Sequence, residues 1–198
     1  MGESWTTVSS SNGFQRSIRY TAVSLANENV GILVGEKGTV MLTSDGGVTW
    51  YRSPSYVPNV NFKFTIMLTE DIAYATGENG TIVKTTDRGE SWIVINTGVS
   101  NTLYRIRFAD DLTAMSVGTG GVILKTTDGG ESWMIETSGT ANNLNCLFVV
   151  DDLIAYDSSI FAPNNVDEAR IRGVELVATA QLAGWDVRGQ VGTLDARN

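Results

Sequence analysis

The chain has 198 residues, 42% hydrophobic and 18% charged, with 22 acidic against 14 basic side chains, a net charge of −8 and no histidine. That balance is ordinary for a soluble globular protein with a sizeable core, in one domain or two small ones. It argues against a nucleic-acid surface, which needs a basic face. The absence of histidine removes the commonest general base, the usual metal ligand and every histidine-containing triad, so no metal and no cofactor are expected.

The polar opening "MGESWTTVSSSNG" shows no signal peptide, and no apolar run approaches the ~18 residues of a membrane helix. The lone Cys146, in "LNCLFVV", reads as a small buried residue and leaves the redox compartment open. Inside the opening lies "ESWTTV", and its tryptophan begins a series. Trp5, Trp50, Trp92 and Trp133 stand 45, 42 and 41 residues apart.

Each tryptophan after the first closes a similar unit. The first unit runs through "SIRYTAVSLANENVGILVG" and "GEKGTVMLTSD" (35–45) to Trp50. The second runs through "NFKFTIMLTEDIAYATG" and "GENGTIVKTTD" (77–87) to Trp92, and the third through "YRIRFADDLTAMSVG" and "GTGGVILKTTD" (118–128) to Trp133. Every unit divides into four short segments rich in Val, Ile, Thr and aromatics, bounded by Gly, Asn or Asp. No segment keeps a helical period. About 40 residues and four strands per unit predict an all-β, propeller-like fold of about four blades, since a single blade cannot bury both faces of its sheet. The blades are placed at about 14–56, 57–98 and 99–139, with a fourth begun at 142 and "ESWTTV" as a detached outer strand. The ring is closed, an open arc, or completed by a second chain.

Asp45, Asp87 and Asp128 fall at the same point of each unit, where a carboxylate can accept backbone N–H bonds from two residues on and pin the turn. Glycines at 46, 89 and 129–130 supply the positive φ that such a turn needs. Trp50, Trp92 and Trp133 then open a strand and wedge against a neighbouring sheet. This string, S/T-x-D-x-G-x-[ST]-W, resembles the Asp-box or BNR repeat. With its upstream "G-x-x-G-T-[IV]" it is most similar to the photosystem II stability/assembly factor family over residues 1–158. The resemblance implies seven-bladed propellers that bind other proteins without catalysis, lumenal or periplasmic relatives, and an arginine-rich patch used for partner binding. Here that patch corresponds to Arg19 in "IRY", Lys63 in "FKF" and Arg107 in "IRF", with Arg105 beside the last, read as one position in three consecutive units. Such cations suit a protein or acidic peptide partner. Homo-oligomers are compatible with this reading; membrane association of the isolated chain is not expected.

Two other readings compete. Asp-box propellers include sialidases and xyloglucan-cleaving glycosidases, which would make the aspartates catalytic and the chain a glycosidase fragment. An aspartate repeated in the same turn of every unit fits a structural staple better. The pattern also breaks after "LNCLFVVDDLIAYDSS" (144–159). Residues 159–198 resemble a strand hairpin of the vitamin B12 (cobalamin) TonB-dependent outer-membrane receptor family, through "N-V-x-x-A-R-I-x-G-V-E" and "D-A-R-N", so the chain looks chimeric. Arg170–Leu182 and Trp185–Leu194 read as its two strands. Gly173 precedes Trp185 by 12 residues, as Gly38, Gly80 and Gly121 precede their tryptophans, so this hairpin could supply the third and fourth strands of a fourth blade.

Overall fold

A computed structural model describes residues 14–15, 17–55, 57–150, 153–157, 186–190 and 193–197. Apart from one 3-10 turn at Thr119–Gly121, their regular structure is all β. Three four-stranded antiparallel sheets follow one another, each a simple meander. The first contains β1 (Tyr20–Leu25), β2 (Gly31–Gly35), β3 (Val40–Thr43) and β4 (Tyr51–Arg52). The second contains β5 (Phe62–Met67), β6 (Ala73–Gly77), β7 (Ile82–Thr85) and β8 (Ile93–Ile95). The third contains β9 (Leu103–Phe108), β10 (Ala114–Gly118), β11 (Ile123–Thr126) and β12 (Met134–Glu136).

Local chemistry explains the repeated hairpins. Between the second and third strands of each sheet, two successive residues adopt left-handed φ: 56° and 63° at Lys37–Gly38, 57° and 64° at Asn79–Gly80, 65° and 74° at Gly120–Gly121. This pair of positive angles defines the tight type I′ turn whose twist matches the flanking strands. The closing bonds, Thr39 N–H to Glu36 O and Thr81 N–H to Glu78 O, are each 3.1 Å. Every first strand also carries a one-residue bulge, at Thr21, Lys63 and Tyr104. On either side of it, Tyr20, Phe62 and Leu103 face Gly35, Gly77 and Gly118, and the ladder resumes at Ala22, Phe64 and Arg105.

Consecutive sheets stack through their first strands, β1 on β5 and β5 on β9, so these strands are innermost. Ile32, Val34, Val40 and Leu42 of the first sheet pack on Met67, Ala73, Ala75, Val83 and Trp92 of the second. Phe64, Tyr74 and Ile82 pack in turn on Ile106, Ala114, Leu124 and Trp133 of the third. The middle sheet is therefore buried on both faces, and all five residues of β6 are buried.

A fourth, two-stranded sheet pairs β13 (Cys146–Val150) with β14 (Leu153–Asp157). It lies against β9 and β10, with Leu147 packed on Val117 and Ile123. The expected strand Trp185–Leu194 is instead two, β15 (Asp186–Gln190) and β16 (Thr193–Arg197), paired with Gln190 opposite Thr193 as a separate sheet. The companion strand expected at 170–182, and the opening "ESWTTV", lie outside the described residues.

Candidate functional site

The repeated turn is built from a threonine and an aspartate acting together. Thr85, 1% exposed, donates its hydroxyl to Asp87 Oδ1 at 2.7 Å and accepts the N–H groups of Asp87 and Gly89. Asp87 in turn accepts the backbone N–H and the hydroxyl of Ser91. The same set recurs as Thr43, Asp45 and Thr49, and as Thr126, Asp128 and Ser132. The main backbone donor is thus the residue four on, not two. The hydroxyl and N–H of that residue hold all three carboxyls below the ordinary carboxylate value. Trp50, Trp92 and Trp133 are each 8% exposed. Their indole N–H groups donate to Gly47 O and Gly89 O in the first two units, whereas that of Trp133 is unpaired.

The four candidate cations do not share one register. Counted from the bulge, Lys63 is equivalent to Thr21 and Tyr104, while Arg107 is equivalent to Ser24 and Ile66. Arg19 precedes β1 altogether, 81% exposed and 3.7 Å from Glu36. Look-alike strings of a cation between apolar residues concealed these offsets. The distance to the Asp-box reveals them, because Tyr20, Phe62 and Leu103 each stand 25 residues before Asp45, Asp87 and Asp128.

What the fold brings together is Arg105, Arg107 and Phe64. Arg105 and Arg107 share one side of β9, with Ile106 between them fully buried on the other. Their guanidinium carbons lie 4.6 Å and 4.7 Å from the centre of the Phe64 ring on the preceding blade, within cation–π range. Burial, with the neighbouring Arg105 charge, lowers the pKa of Arg107. Among the described residues neither arginine has an ion pair. Lys63, by contrast, is neutralised by Glu78 at 3.0 Å, a carboxylate that also accepts from Asn61. Phe64 escaped the sequence reading. Its signal was available, since Phe64 and Arg105 each stand 23 residues before their Asp-box aspartate and are therefore neighbours around the arc.

Elsewhere an open groove of about 590 Å³ runs beside Val99, Gly121, Ile135 and Thr140. Glu136 is its one ionisable lining residue, and it contains none of the candidate cations. No cluster of three or more metal-binding side chains occurs among the described residues.

Residues 3–99 match the family model of the photosynthesis system II assembly factor YCF48. The chain superposes on a structure of YCF48 bound to a D1 peptide with a TM-score of 0.58 and 24% identity, over 66% of this chain and 45% of that one. It superposes on YCF48 from Cyanidioschyzon merolae with a TM-score of 0.52 and 22% identity, over 63% and 38%. An ancestral GH74 enzyme gives a TM-score of 0.53 at 15% identity, over 71% and 21%. These likenesses establish the propeller-type fold, and the chain spans less than half the length of each relative. No curated protein matches it. The tail's resemblance to a TonB-dependent receptor has no counterpart among these YCF48 and GH74 structures.

Proposed function

We propose that the chain is a non-enzymatic protein-binding module of the YCF48 assembly-factor type, and that it takes a carboxylate-bearing peptide at Arg105 and Arg107. The observation that carries this reading is the pair of arginines against Phe64, without a carboxylate partner among the described residues, on a chain of net charge −8. A partly desolvated guanidinium pair attracts carboxylates more strongly than solvated surface cations do, and the ring holds both in place. The family match and the peptide-bound YCF48 neighbour support the same reading. Arg19 and Lys63, each with its own glutamate, are assigned a lesser part in attracting the partner. Catalysis by the Asp-box acids is not part of the proposal, because their oxygens are already occupied by the turn.

The test is fluorescence anisotropy with a labelled acidic peptide ending in a free carboxylate. Replacing Arg105 and Arg107 together by Ala should weaken binding about tenfold or more, with the melting temperature nearly unchanged. Raising salt should weaken binding to the unaltered chain and affect the double variant less. Equal affinity of both proteins at low salt would remove the site.

A further inference from the structure

The arginine pair on β9 carries more charge than one carboxylate can neutralise. Counted from the bulge, Arg105 and Arg107 share their registers with Ala22 and Ser24 on β1 and with Phe64 and Ile66 on β5. On the β13 side, "DDL" recurs at 151–153 as it stands at 110–112 after β9, which puts Cys146 and Phe148 at the same two places. These innermost positions therefore hold no acid on any of the four strands, and only β9 brings charge to them. Across the ladder, Arg105 opposes Val117 and Arg107 opposes Met115, which are also uncharged. Besides Arg105, the titratable group that bears on Arg107 is the Cys146 thiol, not a carboxylate.

The two arginines, one residue apart on the strand, end against a single ring. Both guanidinium carbons stand within 4.7 Å of one point, the centre of Phe64. Both residues are partly exposed, so the pair is open to a ligand. Two like charges held this way repel each other, and no ion pair among the described residues offsets them. A single carboxylate carries one charge and leaves the second guanidinium, partly desolvated, without a partner. A phosphomonoester carries about −1.5 to −2 at neutral pH and presents three acceptor oxygens, enough to engage both planar forks.

We infer that the group this pair selects is a phosphorylated side chain of the partner peptide, in preference to a carboxylate at the same place. The inference rests on the peptide-binding reading of Arg105 and Arg107 and narrows what they recognise. Phosphorylation of the partner then strengthens its capture, and loss of the phosphoryl group returns it to a weaker, singly charged contact. Phe64 is the positioning residue, since its ring holds both guanidiniums and adds no acid that would compete with the ligand.

Fluorescence anisotropy tests this with one labelled peptide whose C-terminus is amidated and whose central residue is serine, glutamate or phosphoserine. The phosphoserine form should bind about tenfold or more tighter than the glutamate form, with the serine form weakest. Arg105→Ala and Arg107→Ala, each alone, should shrink that preference to about threefold or less. Arg105→Lys together with Arg107→Lys keeps both charges but loses the forks, and its preference should shrink as well, with the melting temperature unchanged. Inorganic phosphate should displace the phosphoserine peptide only far above the peptide's own dissociation constant. Displacement at that constant would make the ligand a free anion and overturn the inference. Equal affinity for the phosphoserine and glutamate forms also overturns it, and leaves the carboxylate site standing. A preference undiminished in the arginine variants places the phosphoryl group elsewhere and overturns it too. If no form binds, and a peptide with a free terminal carboxylate does not bind either, the site itself is removed.

Discussion

Thr85 organises its turn more than the aspartate that gives the repeat its name. Its hydroxyl is buried and takes part in three hydrogen bonds, whereas Asp87 is exposed to solvent. Replacing Thr85 by Val keeps the shape but strands the Gly89 N–H, itself in a buried glycine. Leaving a buried donor unpaired costs about 1–3 kcal/mol. The expected result is a loss of that size in chemical denaturation, with the far-UV spectrum unchanged below the transition. A second residue carries local strain: Arg88 has φ 63° where the other two turns have Gly46 and Gly129. Its guanidinium is held by Asp71 at 2.8 Å and Glu70 at 3.2 Å, which accounts for its persistence at a position that favours glycine.

At the scale of the elements, the stapled turn of the second and third blades is also their contact with the blade before. Gly89 accepts the Ser53 hydroxyl at 2.6 Å, and a Cβ there would stand 2.6 Å from Leu42 Cδ2 at a φ of +87°. Gly89→Ala must therefore deform the turn and push the two blades apart. The left-handed conformation alone costs roughly 1–2 kcal/mol, so a lowered melting temperature is expected; a variant as stable as the parent would deny the contact. Strands and turns of this kind were legible in the sequence, because the Asp-box fixes each unit and the strand residues alternate around it. The equivalence of the cations was not legible by eye. A cation between apolar residues can stand at any register of a strand, so "IRY", "FKF" and "IRF" look alike while standing at different registers. The tail misled for a related reason: Trp185–Leu194 has strand composition throughout, and composition does not show that Gln190 and Thr193 face each other across a reversal.

For the molecule as a whole, the three staples predict acid sensitivity. Asp45, Asp87 and Asp128 bond to hydroxyls and N–H groups that favour the ionised form, so their folded pKa values lie below the ordinary 3.8. A carboxylate depressed in the folded state stabilises it above the unfolded pKa and loses that contribution as pH falls through the folded value. Glu78 shifts in the same direction, through Lys63 and Asn61. Lowering the pH also relieves the repulsion of a chain at net charge −8. That gain is diffuse and screened at physiological salt, while the staples act at contact. Melting temperatures should thus hold down to about pH 5 and fall from about pH 4. Asp128→Asn should flatten the fall, and an equally steep decline in that variant would show that the acids of the turns are not responsible.

The bulge shared by β1, β5 and β9 has a consequence for how such a chain can change over time. Its three occupants are Thr21, Lys63 and Tyr104, which have almost no chemistry in common, yet the ladder resumes identically after each. A residue outside the ladder is released from the pairing that constrains its neighbours. The innermost strands β1, β5 and β9 therefore each have one address at which the backbone ladder does not dictate the side chain. Drift or an engineer can try new chemistry there blade by blade, starting from a hydroxyl, an amine and a phenol already in place.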